Sequence, residues 1–289
     1  MSSSSASIVP ASGFVASAPQ AAAPATPAFR YGPLYWMAAG SFAVGTEGFM
    51  VAAVLPSMSN DLSVSVAVAG QLMAIFALTY AISSPILTAL TGGFDRRNLL
   101  IAAMAVFAVG NIVAAVAPDY SSLAAARVLL AIAAGLYVPG ANALAGVLVP
   151  PNRRGRALAI VNGGMSMAVA LGVPLGALVG ANFGWRMMFI GVAVLAAIAL
   201  AGLLFGLPRA IGSGIAVASL RDRLGVGRQP AVLWALVATT LWATGAYTVY
   251  AYIAAYLTTV AGFAGSHISI ALFMWGAAAF GGVVIGGFA

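Results

Sequence analysis

Two residues of opposite charge stand inside long apolar stretches of this 289-residue chain. Glu47 lies mid-stretch in the sequence Gly-Thr-Glu-Gly-Phe, and Arg127 lies about two helical turns into another stretch. A carboxyl whose surroundings alternate between dry and wet can gain and lose a proton, whereas an arginine keeps its charge. These two residue types predict proton coupling, in which Glu47 exchanges the proton beside the fixed charge of Arg127. The alternatives are a structural carboxyl bonded to a neighbouring helix and an arginine that snorkels to the membrane surface.

A second group of side chains has the chemistry to meet a small organic solute. Asn142 lies on a polar helical face, Asn162 and Met165 lie close together in a later stretch, and Tyr247 and Tyr250 lie deep in another. Tyrosine normally clusters at the membrane interface, so two deep tyrosines favour contact with solute. We expect these residues to line a cavity. A structural role for the asparagines stays open, because amides in membranes also bond between helices.

Small residues recur at intervals of four in the stretch after residue 156, at Gly172, Gly176 and Gly180, with Pro174 between them. Small residues at this spacing let two helix backbones approach closely, and a proline removes one helical hydrogen bond. The pattern predicts either tight static packing or a moving hinge.

The composition identifies the solvent of this chain as lipid. Hydrophobic residues make up 63% of it and charged residues 6%, against about 25% charged in soluble domains. A soluble enzyme, a disordered chain and a coiled coil are excluded. There is no cysteine and a single histidine, so we expect no metal site and no cofactor. No nucleotide-binding motif is present, so any pumping must draw on an ion gradient.

Apolar segments long enough to cross about 30 Å of hydrocarbon, roughly 20 helical residues each, begin at Leu34. All must be helices, because lipid offers no partner for exposed backbone groups. The predicted fold is an all-α integral membrane bundle. The eight predicted spans are 34–55, 68–90, 98–117, 121–149, 157–181, 185–207, 231–260 and 266–288.

The arginines predict the orientation. Ten of the twelve lie before the first span or after the even-numbered spans, and one follows an odd-numbered span. Such an excess marks the cytoplasmic side, so we expect a cytoplasmic N-terminus. The arginines fall in short clusters and form no continuous stripe, so a nucleic-acid partner is not expected.

The long arginine-bearing connection divides the chain. We predict a disordered cytoplasmic tail at 1–33, an N-terminal six-helix half at 34–207, a cytoplasmic linker at 208–230 and a partial C-terminal half at 231–289. The last part echoes the first two spans in its proline, tryptophan and glycine positions, as in parallel-repeat transporters. A second repeat of two helices suggests a fragment or a truncated product.

These residues together resemble the major facilitator superfamily, in particular its drug:proton antiporter group with the sugar and nucleoside efflux permeases. The resemblance covers roughly residues 35–289. It implies a proton-coupling role for Glu47 and Arg127 and a cytoplasmic latch after the second span. The motif residues beyond that pair are Asp95, Arg96 and Arg97 for the latch, and Gly163, Gly172, Pro174 and Gly176 for the antiporter motif of the fifth span.

The expected function is proton-coupled efflux of a small organic solute, such as a drug, sugar or nucleoside, by alternating access across a bacterial inner membrane. The expected partners are the solute, protons and the lipid bilayer, and we expect a monomer. The alternative is a truncated membrane protein that does not transport. An intramembrane enzyme is not expected, because no nucleophile or base cluster accompanies the single histidine.

Overall fold

The computed structural model describes residues 31–208, 225–263 and 265–288. The predicted tail lies outside this part of the chain except for Tyr31 to Pro33, and most of the predicted linker lies outside it as well. Within the described ranges the secondary structure is helical, without strands. The prediction of an all-α fold is confirmed.

The helices follow the eight predicted spans closely. Those from α1 to α6 are long and apolar enough to cross a membrane, as is the Pro230–Tyr250 part of α7. The fold is therefore that of a multi-pass membrane protein. The bounds are Gly32–Asp61 for α1, Val66–Leu90 for α2, Arg96–Ala115 for α3, Tyr120–Leu148 for α4, Pro151–Phe183 for α5, Trp185–Gly206 for α6, Pro230–Thr259 for α7 and Gly265–Phe288 for α8.

Short polar side chains set where several helices begin. Asp95 accepts a hydrogen bond of 2.9 Å from the backbone N–H of Asn98 at the start of α3. Asp119 accepts one of 2.8 Å from the N–H of Ser122 at the start of α4, where the Ser122 hydroxyl completes a capping box. Each cap satisfies a backbone donor that the helix itself leaves unpaired.

α5 is one continuous rod with a local change of winding. Its α-helical parts, Arg154–Met167 and Val173–Phe183, are joined by a π-helical turn at Ala168–Gly172. Pro174 follows directly after that turn. A proline cannot donate to the preceding turn, and a wider turn accommodates the missing bond without breaking the helix.

The backbones of α1 and α5 come close together along a stripe of small residues. A Cβ added to Gly164 would collide with the backbone carbonyl of Ala38, and one added to Gly172 would collide with Thr46. A Cβ at Gly176 would stand 3.4 Å from the Cβ of Met50, farther along α1. The predicted interval-of-four pattern therefore marks a helix–helix contact, and it begins earlier than expected, at Gly164.

α1 lies at the centre of the six-helix group. It packs against α5 on one side and α6 on the other, while α3 packs on α4 and α6, and α2 packs on α4. α8 lies against α5 around its π turn. At the far end of α1, Asp61 pairs with Arg186 and accepts a hydrogen bond of 3.1 Å from the indole of Trp185.

A single methyl group at the α1–α5 contact tests this packing. We expect Gly164→Ala to lower stability by about 1–3 kcal/mol, because the helices must separate to admit it. Gly146→Ala in α4 is the matched control, since a Cβ there meets nothing within 4 Å and alanine favours a helix. Thermal unfolding in detergent measures both, and equal midpoints for the two variants would contradict the packing.

Candidate functional site

The two intramembrane charges form an ion pair between α1 and α4. The guanidinium Nη1 of Arg127 donates to Oε1 of Glu47, and both side chains are 0% exposed. Neither residue reaches the membrane surface, so the snorkelling alternative for Arg127 does not describe this structure. Both side chains therefore face the interior of the bundle.

α2 completes the surroundings of the guanidinium. Nε of Arg127 donates to the backbone carbonyl of Leu72 at 3.3 Å, and the Phe76 ring centroid lies 4.4 Å from its central carbon. An aromatic face attracts a cation most strongly where water is excluded. Arg127 is therefore held by three helices at once: by charge from α1, by its own backbone in α4, and by a carbonyl and a ring from α2.

Two of the five polar side-chain atoms of the pair make no hydrogen bond with the described residues. Within the described part of the chain, Oε2 of Glu47 and Nη2 of Arg127 are buried without a hydrogen-bond partner. Removing two charges from water costs several kcal/mol per ion, so such a pair is a poor way to stabilise a fold. The arrangement instead leaves one carboxylate oxygen available to accept a proton.

A cavity of about 460 Å³ opens on the other side of α1. It is lined from four helices, α1, α5, α7 and α8, and its surface is mainly aromatic and aliphatic. Three of the residues predicted to meet solute belong to its lining. The lining residues are Phe49, Met165, Ser166, Val169, Trp242, Ala246, Tyr247, Tyr250, Trp275, Ala278 and Ala279.

Aromatic rings are arranged in contact along this cavity. Phe49 stacks parallel to Tyr247 with centroids 5.8 Å apart and meets Tyr250 edge-on at 5.6 Å. Tyr250 lies 6.3 Å from Trp275 of α8. Tyr250 is 5% exposed, whereas Tyr247 is 54% exposed, so one tyrosine of the lining is buried and the other is accessible.

The two predicted asparagines do not line this cavity. They bond to each other instead, with the Asn162 amide donating to the Asn142 oxygen at 3.0 Å and the reverse bond at 3.3 Å. A reciprocal amide pair of this kind ties α4 to α5. This geometry corresponds to the structural alternative that the sequence left open.

The three residues predicted as a latch make contacts within the first six helices. Asp95 caps α3, and Arg96 donates to the carbonyl of Gly92 at 3.3 Å. Arg97 donates to the carbonyls of Leu207 and Leu204 at the end of α6, at 2.8 and 2.5 Å. Arg97 thus caps the carboxyl end of α6, where free carbonyls favour a cation.

The motif residues of α5 lie along its contact with α1 and around its change of winding. Gly163 is buried in the α-helical part of α5, and Gly172 ends the π turn against Thr46, the neighbour of Glu47 in α1. Pro174 follows the turn, and Gly176 lies against α1 and α6. The motif therefore borders the ion-paired stretch of α1.

Sequence reasoning missed the residues that surround the predicted ones. Phe76, which covers the guanidinium, is one aromatic residue among many in an apolar helix, and no spacing rule distinguished it. Phe49 ended the quoted motif, two residues after Glu47, and was not assigned to the cavity. Trp242 and Trp275 lie in α7 and α8 at positions that only tertiary packing brings together.

Comparison with known proteins identifies the family. The family model described as Major Facilitator Superfamily matches residues 37–289. The chain belongs to this superfamily, as the sequence motifs suggested.

Curated relatives are about one-third identical to the chain. The uncharacterized MFS-type transporter YbcL of Bacillus subtilis is 34% identical over 255 residues, covering 88% of this chain and 65% of the relative. The inner membrane transport protein YdhP of Escherichia coli K12 is 34% identical, covering 79% and 58%. The chloramphenicol resistance protein of Streptomyces lividans is 34% identical, covering 88% and 66%. The chain thus spans less than two thirds of the length of these relatives.

Solved structures agree on the fold. The crystal structure of the peptide transporter POT in complex with sulfate superposes with a TM-score of 0.55 at 19% identity, covering 81% of this chain and 47% of that one. At this level of identity the likeness concerns the fold alone.

The buried ion pair can be tested by a double-mutant cycle. We expect Glu47→Gln to lower the free energy of unfolding by about 3–5 kcal/mol, because it leaves the Arg127 charge buried without a counter-charge. Adding Arg127→Gln to that variant should recover most of the loss, since no buried charge then remains. Unfolding in mixed micelles measures the cycle, and a double variant no more stable than the single one would contradict it.

Proposed function

We propose that this chain forms the proton-coupling and solute-binding part of a transporter that exports a small organic solute in exchange for protons. The observation that carries the proposal is the Glu47–Arg127 pair, fully buried between α1 and α4. A buried pair is costly, and membrane-embedded ionisable residues commonly mark proton or substrate pathways.

The pair offers a direct route from protonation to movement. A proton accepted at the unpartnered Oε2 of Glu47 removes the negative charge that holds Arg127. Arg127 then keeps only its contacts with Leu72 and Phe76 of α2 and no longer attracts α1 by charge. The attraction between α1 and α4 weakens. The protein then shifts towards the conformation in which the Glu47 carboxyl is accessible to protons.

Helix α1, which carries Glu47, also contributes to the wall of the cavity proposed to bind the solute. Phe49 lies two residues after Glu47, on a different side of α1, and lines the cavity. Any displacement of α1 on protonation therefore moves a wall of that cavity. Alternating access of this kind, around a site between helical repeats, is the general plan of secondary transporters.

Export and an inner-membrane location are supported by the relatives. One of them is named a chloramphenicol resistance protein and another an inner membrane transport protein. We assign the chain to a bacterial inner membrane as a monomer, with Asp95, Arg96 and Arg97 on the cytoplasmic side as a latch at the end of α2. The arginine distribution supports a cytoplasmic N-terminus.

Removing the exchanging carboxyl should abolish coupling. In liposomes containing the chain and a trapped pH-sensitive dye, an outward solute gradient should drive protons inward. We expect this proton movement to fall to background in Glu47→Gln and also in the Glu47→Gln/Arg127→Gln double variant, which is free of a lone buried charge. Coupled proton movement that persists in a folded double variant would refute the role of Glu47.

Asp119→Asn is the matched control for the loss of a carboxyl. Hydrogen bonding from the backbone and hydroxyl of Ser122 holds the pKa of Asp119 below its ordinary value, so this carboxyl stays charged at neutral pH. Asparagine is an equally good helix cap at that position. Proton movement should therefore be the same as in the unmodified chain.

The orientation can be mapped directly, because the chain has no cysteine. A cysteine at the exposed Asn60, at the end of α1, should react with an impermeant thiol reagent added to intact cells. One at the exposed Asn152, at the start of α5, should react only after the membrane is opened. The reverse pattern would overturn the assigned orientation.

A further inference from the structure

The cavity beside α1 has a lining that discriminates between classes of solute. Five of its lining side chains are aromatic, from Phe49, Trp242, Tyr247, Tyr250 and Trp275. None of its lining residues, among those the structure describes, is charged. Its volume of about 460 Å³ lies within the range of small-molecule sites, about 300–1,000 Å³.

The described lining includes one buried polar group that is unused. Tyr250 lines the cavity, is 5% exposed, and its hydroxyl has no hydrogen-bond partner among the described residues. Buried hydroxyls are normally paired, and those that are not call for a ligand or water. The neighbouring hydroxyls of Tyr247 and Ser166 lie in the same lining, and the Tyr247 side chain is half exposed.

This chemistry selects against the other solute classes. A sugar carries an O–H donor on nearly every ring carbon, and the side chains of the described lining offer only three hydroxyls to accept from them, because an indole N–H cannot accept. An organic cation would contact the rings, but no carboxylate in the described lining would offset the loss of its hydration. An organic anion would have no cationic partner in the described lining.

We infer that the solute is an uncharged aromatic molecule that packs against the rings of Phe49, Tyr247 and Trp275 and accepts or donates one hydrogen bond at the Tyr250 hydroxyl. This inference rests on the proposed function, whose solute class it names. Stacking on several rings supplies affinity, and the single buried hydroxyl fixes orientation.

Binding to the full 289-residue chain in lipid nanodiscs tests the inference without a proton gradient. Equilibrium dialysis with radiolabelled probes compares chloramphenicol as the uncharged aromatic, arabinose as the sugar, tetraphenylphosphonium as the cation and benzoate as the anion. We expect saturable binding of chloramphenicol and at least about tenfold weaker binding of the other three.

Two tyrosine variants in the same helix locate the hydrogen bond. Tyr250→Phe should weaken chloramphenicol binding about tenfold, the effect of one buried hydrogen bond. Tyr256→Phe is the matched control, because Tyr256 is 59% exposed and outside the lining, and it should bind as the unmodified chain does. A thermal unfolding midpoint for each variant separates loss of binding from loss of fold.

The outcomes separate this inference from the proposed function. Equal or tighter binding of the sugar, cation or anion, binding of none of the probes, or unchanged binding in Tyr250→Phe would overturn the inference. The proposed function fails on a different measurement, if proton movement in liposomes does not depend on Glu47. A chain that binds the aromatic probe and moves no protons would keep the inference and refute the coupling.

Discussion

The structure depends on the enclosure of one ion pair in an environment that cannot hydrate it. Glu47 and Arg127 are both 0% exposed, so the surrounding protein separates them from water and lipid. α2 supplies a carbonyl and the Phe76 ring, and α4 supplies the arginine itself. The central place of α1 follows from this requirement, because a carboxyl at mid-membrane depth needs protein on all sides.

One turn of α1 connects the main features of the molecule. Within five residues, Gly45 and Thr46 meet α5, Glu47 meets Arg127, Gly48 lies near Phe76, and Phe49 lines the aromatic cavity. Successive side chains on a helix point about 100° apart, so a single turn can address several neighbours. A shift of this turn changes its contacts with all of these neighbours at once. This is the physical basis for coupling the charge state of Glu47 to the shape of the cavity.

The fold was largely predictable from the sequence. The length of the apolar segments locates the membrane spans, and the cost of unpaired backbone groups in lipid requires each span to be a helix. The residues of the ion pair were predictable because charge in an apolar stretch is conspicuous. Phe76 and Trp275 were not, since an aromatic residue in an apolar helix carries no signal of its partner. The Asn142–Asn162 pair shows the converse, because a polar residue in such a helix has more than one way to be satisfied.

The π-helical turn in α5 has a geometric effect on its contact with α1. In a regular α-helix, residues four apart are offset by about 40° around the axis, so a line of small residues at that interval winds off the facing helix within a few steps. The contact nevertheless continues from Gly164, beside Ala38, to Gly180, beside Val54. The π turn at Ala168–Gly172 has more residues per turn, so it rotates the following small residues back towards α1. The two helices therefore stay in contact over most of the membrane thickness.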